Sequence, residues 1–282
     1  MKTWIRRFNQ ERRDLGPLRL WEIKEFISNL LNRSDAIYGY RLLWRVRPDF
    51  TKLVLLEHSS AVLQTTDEAK TAWSAVEAAG LPHALGQKDW DTLIAFRQLI
   101  ESTSTTARIL DAGAELSSVI LLWLYLYGYR NLVGNNLAFS GRFRRGAIHY
   151  EAGDITRTPY GDEEFDAITC LSVIEHQVPV DPFLKEMARI MKPGAHLVVS
   201  TDYWDPKIPT DDVCERYYKS TTERYEVYNW VVFCQSEIDE IISKAQGHGL
   251  QLTSSFDKRC TEPTVVYLGK RYTFLCMTFK KA

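Results

Sequence analysis

From about residue 107 onward, short apolar segments of strand length alternate with segments long enough for helices. This alternation is typical of βαβ units, in which parallel strands are buried between layers of helices. It predicts strands at 107–110, 132–137, 147–150, 165–171 and 196–200, followed by closing strands at 250–256 and 272–279. The sequence therefore predicts an α/β fold with a mostly parallel seven-stranded sheet flanked by helices.

Helix signals fall between the predicted strands. The apolar segment 117–127 suits a helix that is buried against a sheet. Asp181 followed by Pro182 predicts a helix start, with Asp181 as the N-cap and the helix running to Met191. A pattern that resembles a capping box opens another helix at Ser236.

The first hundred residues have a different texture. Apolar residues recur at helical spacing over 20–31 and 66–79, and no strand pattern of comparable length precedes residue 105. We therefore expect a helical N-terminal segment at 1–100, which acts as a cap or docking region. The α/β domain then occupies 101–282 and includes an aromatic-rich insertion at about 203–234.

Composition excludes several classes of function. With 35 Lys and Arg against 36 Asp and Glu, the chain lacks the overall basic field that holds nucleic acids. Its longest apolar run, 119–127, is far shorter than the roughly 20 residues of a membrane-spanning helix. A local basic surplus near the N-terminus fits a solvated helix face or, less commonly, a docking surface for an anionic partner, and includes Arg6, Arg7, Arg12 and Arg13.

The cysteines and histidines argue against disulfides and a structural metal. Five cysteines form no CxxC pair, and six histidines are scattered without the spacing of zinc ligands. This pattern predicts reduced thiols in a cytoplasmic protein with no bound metal. The sequence leaves the oligomeric state open.

The turn after the first predicted strand distinguishes between two kinds of nucleotide-binding protein. The segment 111–117 has a single glycine, Gly113, where a dinucleotide-binding turn has three. Glu115 would also bring a negative charge towards a bound pyrophosphate. An oxidoreductase that binds a dinucleotide is therefore disfavoured.

Two later segments carry a family resemblance. Residues 153–176 read GDITRTPYGDEEFDAITCLSVIEH, and residues 183–195 read FLKEMARIMKPGA. Both are similar to motifs of the class I S-adenosylmethionine-dependent methyltransferases, in the same order and at similar spacing, and the resemblance extends over roughly 108–279. It implies a Rossmann-like methyltransferase fold, S-adenosyl-L-methionine as the cofactor and transfer of a methyl group to another molecule.

The resemblance also implies which residues contact the cofactor. The implied contacts are Asp111, Gly113, Ala114 and Glu115 at the methionine part, Asn136 and Leu137 at the ribose, Asp154 and Ile155 at the adenine, and Leu171 and Ser172 beneath the sulfonium. Two positions depart from the family pattern, since Glu115 replaces a glycine and Asn136 replaces the ribose-binding acid. Glu115 fits either a cofactor contact or a cap of the following helix.

Candidate catalytic and acceptor-binding residues follow the fourth and fifth strands. His176, beside Glu175, could remove a proton from the methyl acceptor as a general base. Alternatively the pair orders a loop, and transfer depends on alignment alone. Tyr203 and Trp204 begin the aromatic insertion and are candidates for a lid over the acceptor. We expect transfer to an O or N atom of a small-molecule or glycan acceptor, and the alternative is an inactive methyltransferase-like binding or scaffolding module.

Overall fold

A computed structural model describes residues 20–218, 224–228 and 230–282. The basic residues Arg6, Arg7, Arg12 and Arg13 lie outside the described residues. The described helices are α1 (Leu20–Asn32), α2 (Asp35–Arg45), α3 (Thr66–Ala78), α4 (Asp89–Ser102), α5 (Ile120–Tyr127), α6 (Val180–Ile190) and α7 (Gln235–Gly247). The described strands are β1 (Ala61–Val62), β2 (Arg108–Ala112), β3 (Asn131–Asn136), β4 (Phe143–Arg145), β5 (Ile148–Ala152), β6 (Phe165–Leu171), β7 (Met191–Tyr203), β8 (Cys214–Tyr218), β9 (Arg224–Tyr228), β10 (Leu250–Leu252), β11 (Val265–Tyr267) and β12 (Lys270–Lys281).

One large sheet dominates the described residues. Its strand order is β1-β12-β7-β6-β2-β3-β5-β4, and β10 and β11 each pair with β12. The five central strands, from β7 to β5, are mutually parallel, whereas β12 runs antiparallel to β7. The predicted α/β architecture is confirmed, but the sheet has ten strands and not seven. The three additional strands, β1, β4 and β11, have two or three residues each, which is too short to show a periodic pattern.

The predicted and observed boundaries of the elements agree best where both faces of a strand are buried. Strand β6 spans the predicted residues 165–171, because its near-continuous apolar run lies in the centre of the sheet. Helix α5 begins at Ile120, three residues later than predicted. The predicted N-cap of α6 is wrong: α6 begins at Val180 after Pro179, and the Asp181 carboxylate lies 2.9 Å from Nε2 of His248, the residue that follows α7.

Helices cover both faces of the sheet. On one face, α4 and α5 bury large side chains such as Trp90, Phe96 and Trp123. On the other face, α6 and α7 contribute Phe183 and Ile238 to a second core. Because α4 is part of the core and β1 pairs with β12, the N-terminal segment contributes directly to the α/β fold. A domain boundary at residue 100 stays a prediction.

Helices α1 and α2 lie at the β4–β5 end of the sheet. The backbone N–H of Gly146 donates to the Asn32 carbonyl at 2.8 Å, and the Tyr125 hydroxyl donates to Asp35 Oδ1 at 2.5 Å. Helix α2 buries none of its residues, and Trp44 is 74% exposed. No helix in the described part of the chain is long and apolar enough to cross a membrane.

Candidate active site

The predicted cofactor-binding residues follow β2, β3, β5 and β6. Because these strands are parallel, their C-terminal ends meet at one edge of the sheet, which we call the carboxyl edge. Ligands of open parallel sheets bind at this edge, near the point where the strand order reverses. Here the reversal lies at β2, between β3 and β6.

Asp111 is a buried carboxyl at the end of β2. Its Oδ1 accepts a hydrogen bond from Thr169 Oγ1 at 2.8 Å, and its Oδ2 accepts one from Ser118 Oγ at 3.1 Å. Burial raises the pKa of Asp111 to about 6, despite the opposing effect of these two bonds. Asp111 therefore connects β2 with β6 and with the segment that leads into α5.

Gly113 forms the turn that follows β2. Its φ of +85° favours glycine, and a Cβ built at this position would lie 2.5 Å from Val173 Cγ2. The Asn136 amide donates to the carbonyls of Gly113 at 3.1 Å and Ala114 at 3.0 Å, and Asn136 Oδ1 accepts from the Ala138 N–H at 2.8 Å. Asn136 therefore links the turns after β2 and β3, and its contact with a ribose stays a prediction.

The exposed loop before α5 contains Glu115. Its Oε2 accepts a hydrogen bond from Ser117 Oγ at 3.0 Å. Helix α5 begins after Val119 without a side-chain cap, so the interpretation of Glu115 as a helix cap is wrong. The Glu115 carboxylate lies on the surface of the carboxyl edge.

Asp154 and Leu137 also lie at the surface of this edge. Asp154 Oδ1 accepts hydrogen bonds from the Thr156 N–H at 2.8 Å and from Thr156 Oγ1 at 2.7 Å. Leu137 is 75% exposed, whereas Ile155, which follows Asp154 in the sequence, is buried. An exposed carboxylate and an exposed apolar side chain are thus available to a ligand at the ends of β3 and β5.

The backbone after β6 is held in an unusual conformation. Ser172 has φ +53°, which non-glycine residues adopt rarely, and its N–H donates to both the carbonyl and Oγ of Ser200, each at 3.1 Å. Leu171, which precedes it, is partly buried. Such backbone strain is often found at binding and catalytic sites.

The candidate catalytic pair lies three residues further on. Glu175 is buried, and its Oε2 accepts a hydrogen bond from Thr201 Oγ1 at 3.1 Å. Its carbonyl accepts from the Val231 N–H at 3.0 Å, and half-buried His176 forms a backbone bridge with Trp230. The pair is therefore held against the segment that returns from the aromatic insertion.

Two residues of the N-terminal segment reach the same region, and the sequence did not reveal them. Lys88 Nζ donates to Ser172 Oγ and lies 4.5 Å from the centre of the Phe274 ring. Asp91 is completely buried, and its Oδ2 accepts from Ser200 Oγ at 2.5 Å. Three charged residues, Lys88, Asp89 and Asp91, surround the start of α4 in the sequence, but nothing in that pattern indicates the contact with β6 and β7.

The two predicted lid residues differ in position. Tyr203 is completely buried, and its hydroxyl donates to the Lys258 carbonyl at 2.7 Å, so it lies in the core and not over the carboxyl edge. Trp204 is half-buried, and its backbone N–H donates to the Phe233 carbonyl at 2.9 Å. No group of three or more potential metal ligands was found among the described residues.

Comparison with known proteins agrees with this architecture. Residues 116–199 match a family described as a methyltransferase domain. This match lies within the α/β part of the chain and extends from the loop before α5 into β7. A solved structure from Galdieria sulphuraria, assigned as a sarcosine dimethylglycine methyltransferase, covers 77% of this chain and 98% of its own, with a TM-score of 0.50 and 14% identity. At that identity the likeness shows the fold of the methyltransferase domain alone.

Curated relatives match over short segments. A demethylmenaquinone methyltransferase from Beutenbergia cavernae is 41% identical over 69 residues, which cover 23% of this chain and 29% of the relative. The corresponding protein from Paenarthrobacter aurescens is 38% identical over 69 residues, which cover 24% of this chain and 27% of the relative. The chain thus matches less than a third of the length of these relatives.

Proposed function

We propose that this chain transfers a methyl group from S-adenosyl-L-methionine to a small-molecule acceptor. The observation that carries the proposal is the match of residues 116–199 to a methyltransferase domain. The strand order supports it, because parallel strands bring the ends of β2, β3, β5 and β6 to one edge.

The side chains at the carboxyl edge fit this cofactor chemically. S-adenosylmethionine has a cationic sulfonium and ammonium, ribose hydroxyls and a planar adenine. Glu115 and Asp154 offer exposed carboxylate oxygens, and Leu137 offers an exposed apolar surface. The combination of acidic and apolar groups suits such a ligand better than a pyrophosphate, which acidic side chains would repel.

The residues after β6 would then serve the transfer itself. When bound, the cofactor supplies a methyl group attached to positively charged sulfur. The methyl carbon would bond to a lone pair on the acceptor oxygen or nitrogen, and the electron pair of the broken carbon–sulfur bond would stay on sulfur. His176 accepts the proton that the acceptor loses, and buried Glu175 orients the loop through its bond with Thr201.

The acceptor is proposed only by class. Demethylmenaquinone is the acceptor in the names of the curated relatives, whose matches cover about a quarter of this chain. Half-buried Trp204 offers an aromatic surface for a planar molecule or a glycan. A panel of phenols, hydroxyquinones, amines and glycans, assayed for formation of S-adenosylhomocysteine, separates these classes.

Isothermal titration calorimetry with S-adenosylmethionine tests the proposed cofactor. We expect micromolar binding by the wild type and about ten- to a hundredfold weaker binding by Asp154→Asn, since loss of one hydrogen bond to a charged group costs about 1.5–3 kcal/mol. Asn keeps the oxygen that holds Thr156. The matched control, Asp162→Asn, removes an exposed acid that pairs with Arg189 and should bind normally. No binding at millimolar cofactor would contradict the proposal.

A further inference from the structure

Three buried carboxyls converge beside the proposed methyl-transfer site. Asp91 on α4, Glu175 after β6 and Asp202 near the end of β7 are 0%, 1% and 4% exposed, and we call them the acid cluster. Burial raises the pKa of Asp91 and of Asp202, and the charge of Glu175 raises both further. Asp91 and Glu175 hydrogen-bond to Ser200 and Thr201, the two residues that precede Asp202 in β7, so the three carboxyls are held at one end of this strand.

The hydrogen bonds of the acid cluster do not neutralise it. Asp91 accepts from Ser200, Glu175 accepts from Thr201, and Asp202 Oδ2 accepts from Trp230 Nε1 at 2.8 Å. All three donors are uncharged. Asp91 Oδ1 is also completely buried and has no hydrogen-bond partner in the protein. Burial therefore favours the protonated form of these acids, and a positive charge beside the cluster favours the ionised form.

Lys88 supplies positive charge to this cluster from within the chain. Its charge lowers the pKa of both Asp91 and Asp202, and His176 has the same effect on Asp202. The Lys88 ammonium donates a hydrogen bond to Ser172, the residue that the family resemblance places beneath the sulfonium. The ammonium of Lys88 and the sulfonium of a bound cofactor would therefore occupy the same acid-lined region.

We propose that the acid cluster selects the positively charged methyl donor over its neutral product, and that Lys88 opposes this selection. The inference rests on the proposed function. S-adenosylmethionine and S-adenosylhomocysteine differ by one methyl group and one positive charge. An acidic site therefore favours the donor, and a neighbouring ammonium disfavours it. After transfer the positive charge on sulfur is lost, so the same cluster promotes release of the product.

This selection is measured by a ratio of dissociation constants: the constant for S-adenosylhomocysteine divided by the constant for S-adenosylmethionine. Both ligands share the adenine, ribose and amino-acid parts, so a general distortion of the site affects both and cancels in the ratio. We expect Lys88→Met to raise the ratio about tenfold, and Asp91→Asn and Asp202→Asn each to lower it about tenfold. A tenfold change corresponds to about 1.4 kcal/mol.

A charge change far from the cluster provides the control. Asp166, at the beginning of β6, pairs with Lys192 at 2.7 Å on the opposite edge of the sheet. The ratio for Asp166→Asn should stay within twofold of the wild type. Circular dichroism checks that each variant folds. If the variants of the buried Asp residues do not fold, Lys88→Met alone provides the test, because Lys88 is partly exposed and its substitution should be tolerated.

The outcomes separate this inference from the proposed function. Opposite shifts for the lysine and the aspartate variants would support the acid cluster as a selector of charge. If the wild type binds both ligands and the ratio is unchanged in Lys88→Met, the inference is wrong while the proposed function stands. If the wild type binds neither ligand, both are overturned.

Discussion

Substituting Gly113 tests whether the turn after β2 is as tightly packed as the structure indicates. Alanine at this position must adopt φ +85°, which costs an L-residue roughly 1–2 kcal/mol. Its Cβ would also lie 2.5 Å and 2.6 Å from the two methyl carbons of Val173, an overpacking that typically costs about 1–3 kcal/mol. We therefore expect Gly113→Ala to lower the free energy of unfolding by about 2–5 kcal/mol.

A double-mutant cycle separates the two contributions. Val173→Ala alone removes two partly buried methyl groups and should cost about 1–2 kcal/mol. The double variant relieves the clash with the two methyl carbons and keeps the backbone strain and a close contact of 3.1 Å with the Cβ of residue 173, so its destabilisation should be smaller than the sum of the single variants by about 1–3 kcal/mol. Urea denaturation followed by tryptophan fluorescence gives these free energies. Strict additivity, or a Gly113→Ala cost below about 0.5 kcal/mol, would refute the packing account of this glycine.

Two further predictions concern proton binding and proton transfer. Because burial raises the pKa of Asp111 to about 6, the folded state binds its proton more tightly than the unfolded chain, and stability falls as pH rises from about 4 to 6. In urea denaturation, the free energy of unfolding of Asp111→Asn relative to the wild type should therefore increase by on the order of 3 kcal/mol between pH 4 and pH 6. If the difference in free energy between the two proteins does not change with pH, the raised pKa of Asp111 is wrong. Once an acceptor is known, His176→Ala should reduce kcat at least tenfold with little change in the dissociation constant for S-adenosylmethionine. An unchanged kcat would exclude His176 as the base.

The centre of the fold could be predicted because its sequence signals are local and strong. Strand β6 is buried on both faces, so its apolar run alone defines its limits. The start of α6 was mispredicted, because Asp181 has an alternative partner in His248, 67 residues away. Long-range contacts of this kind override a local capping preference, and no pattern within α6 indicates them.

The site was only partly predictable for the same reason. Motifs located the residues after β2, β3, β5 and β6, but the bonds of Asn136 to the Gly113 turn depend on the pairing of β2 with β3. Lys88 reaches Ser172 across 84 positions of sequence, so no local pattern could show that the N-terminal segment lines the site. The packing of α4 against the sheet brings them together.

A structure of the chain crystallised with saturating S-adenosylhomocysteine tests the central claim most directly. We predict the ligand at the carboxyl edge, with its amino-acid part near Gly113, its adenine near Asp154 and Leu137, and its sulfur near Ser172. Density for the ligand elsewhere, or an edge that stays closed to it at millimolar concentration, would contradict the assignment of this edge as the cofactor site.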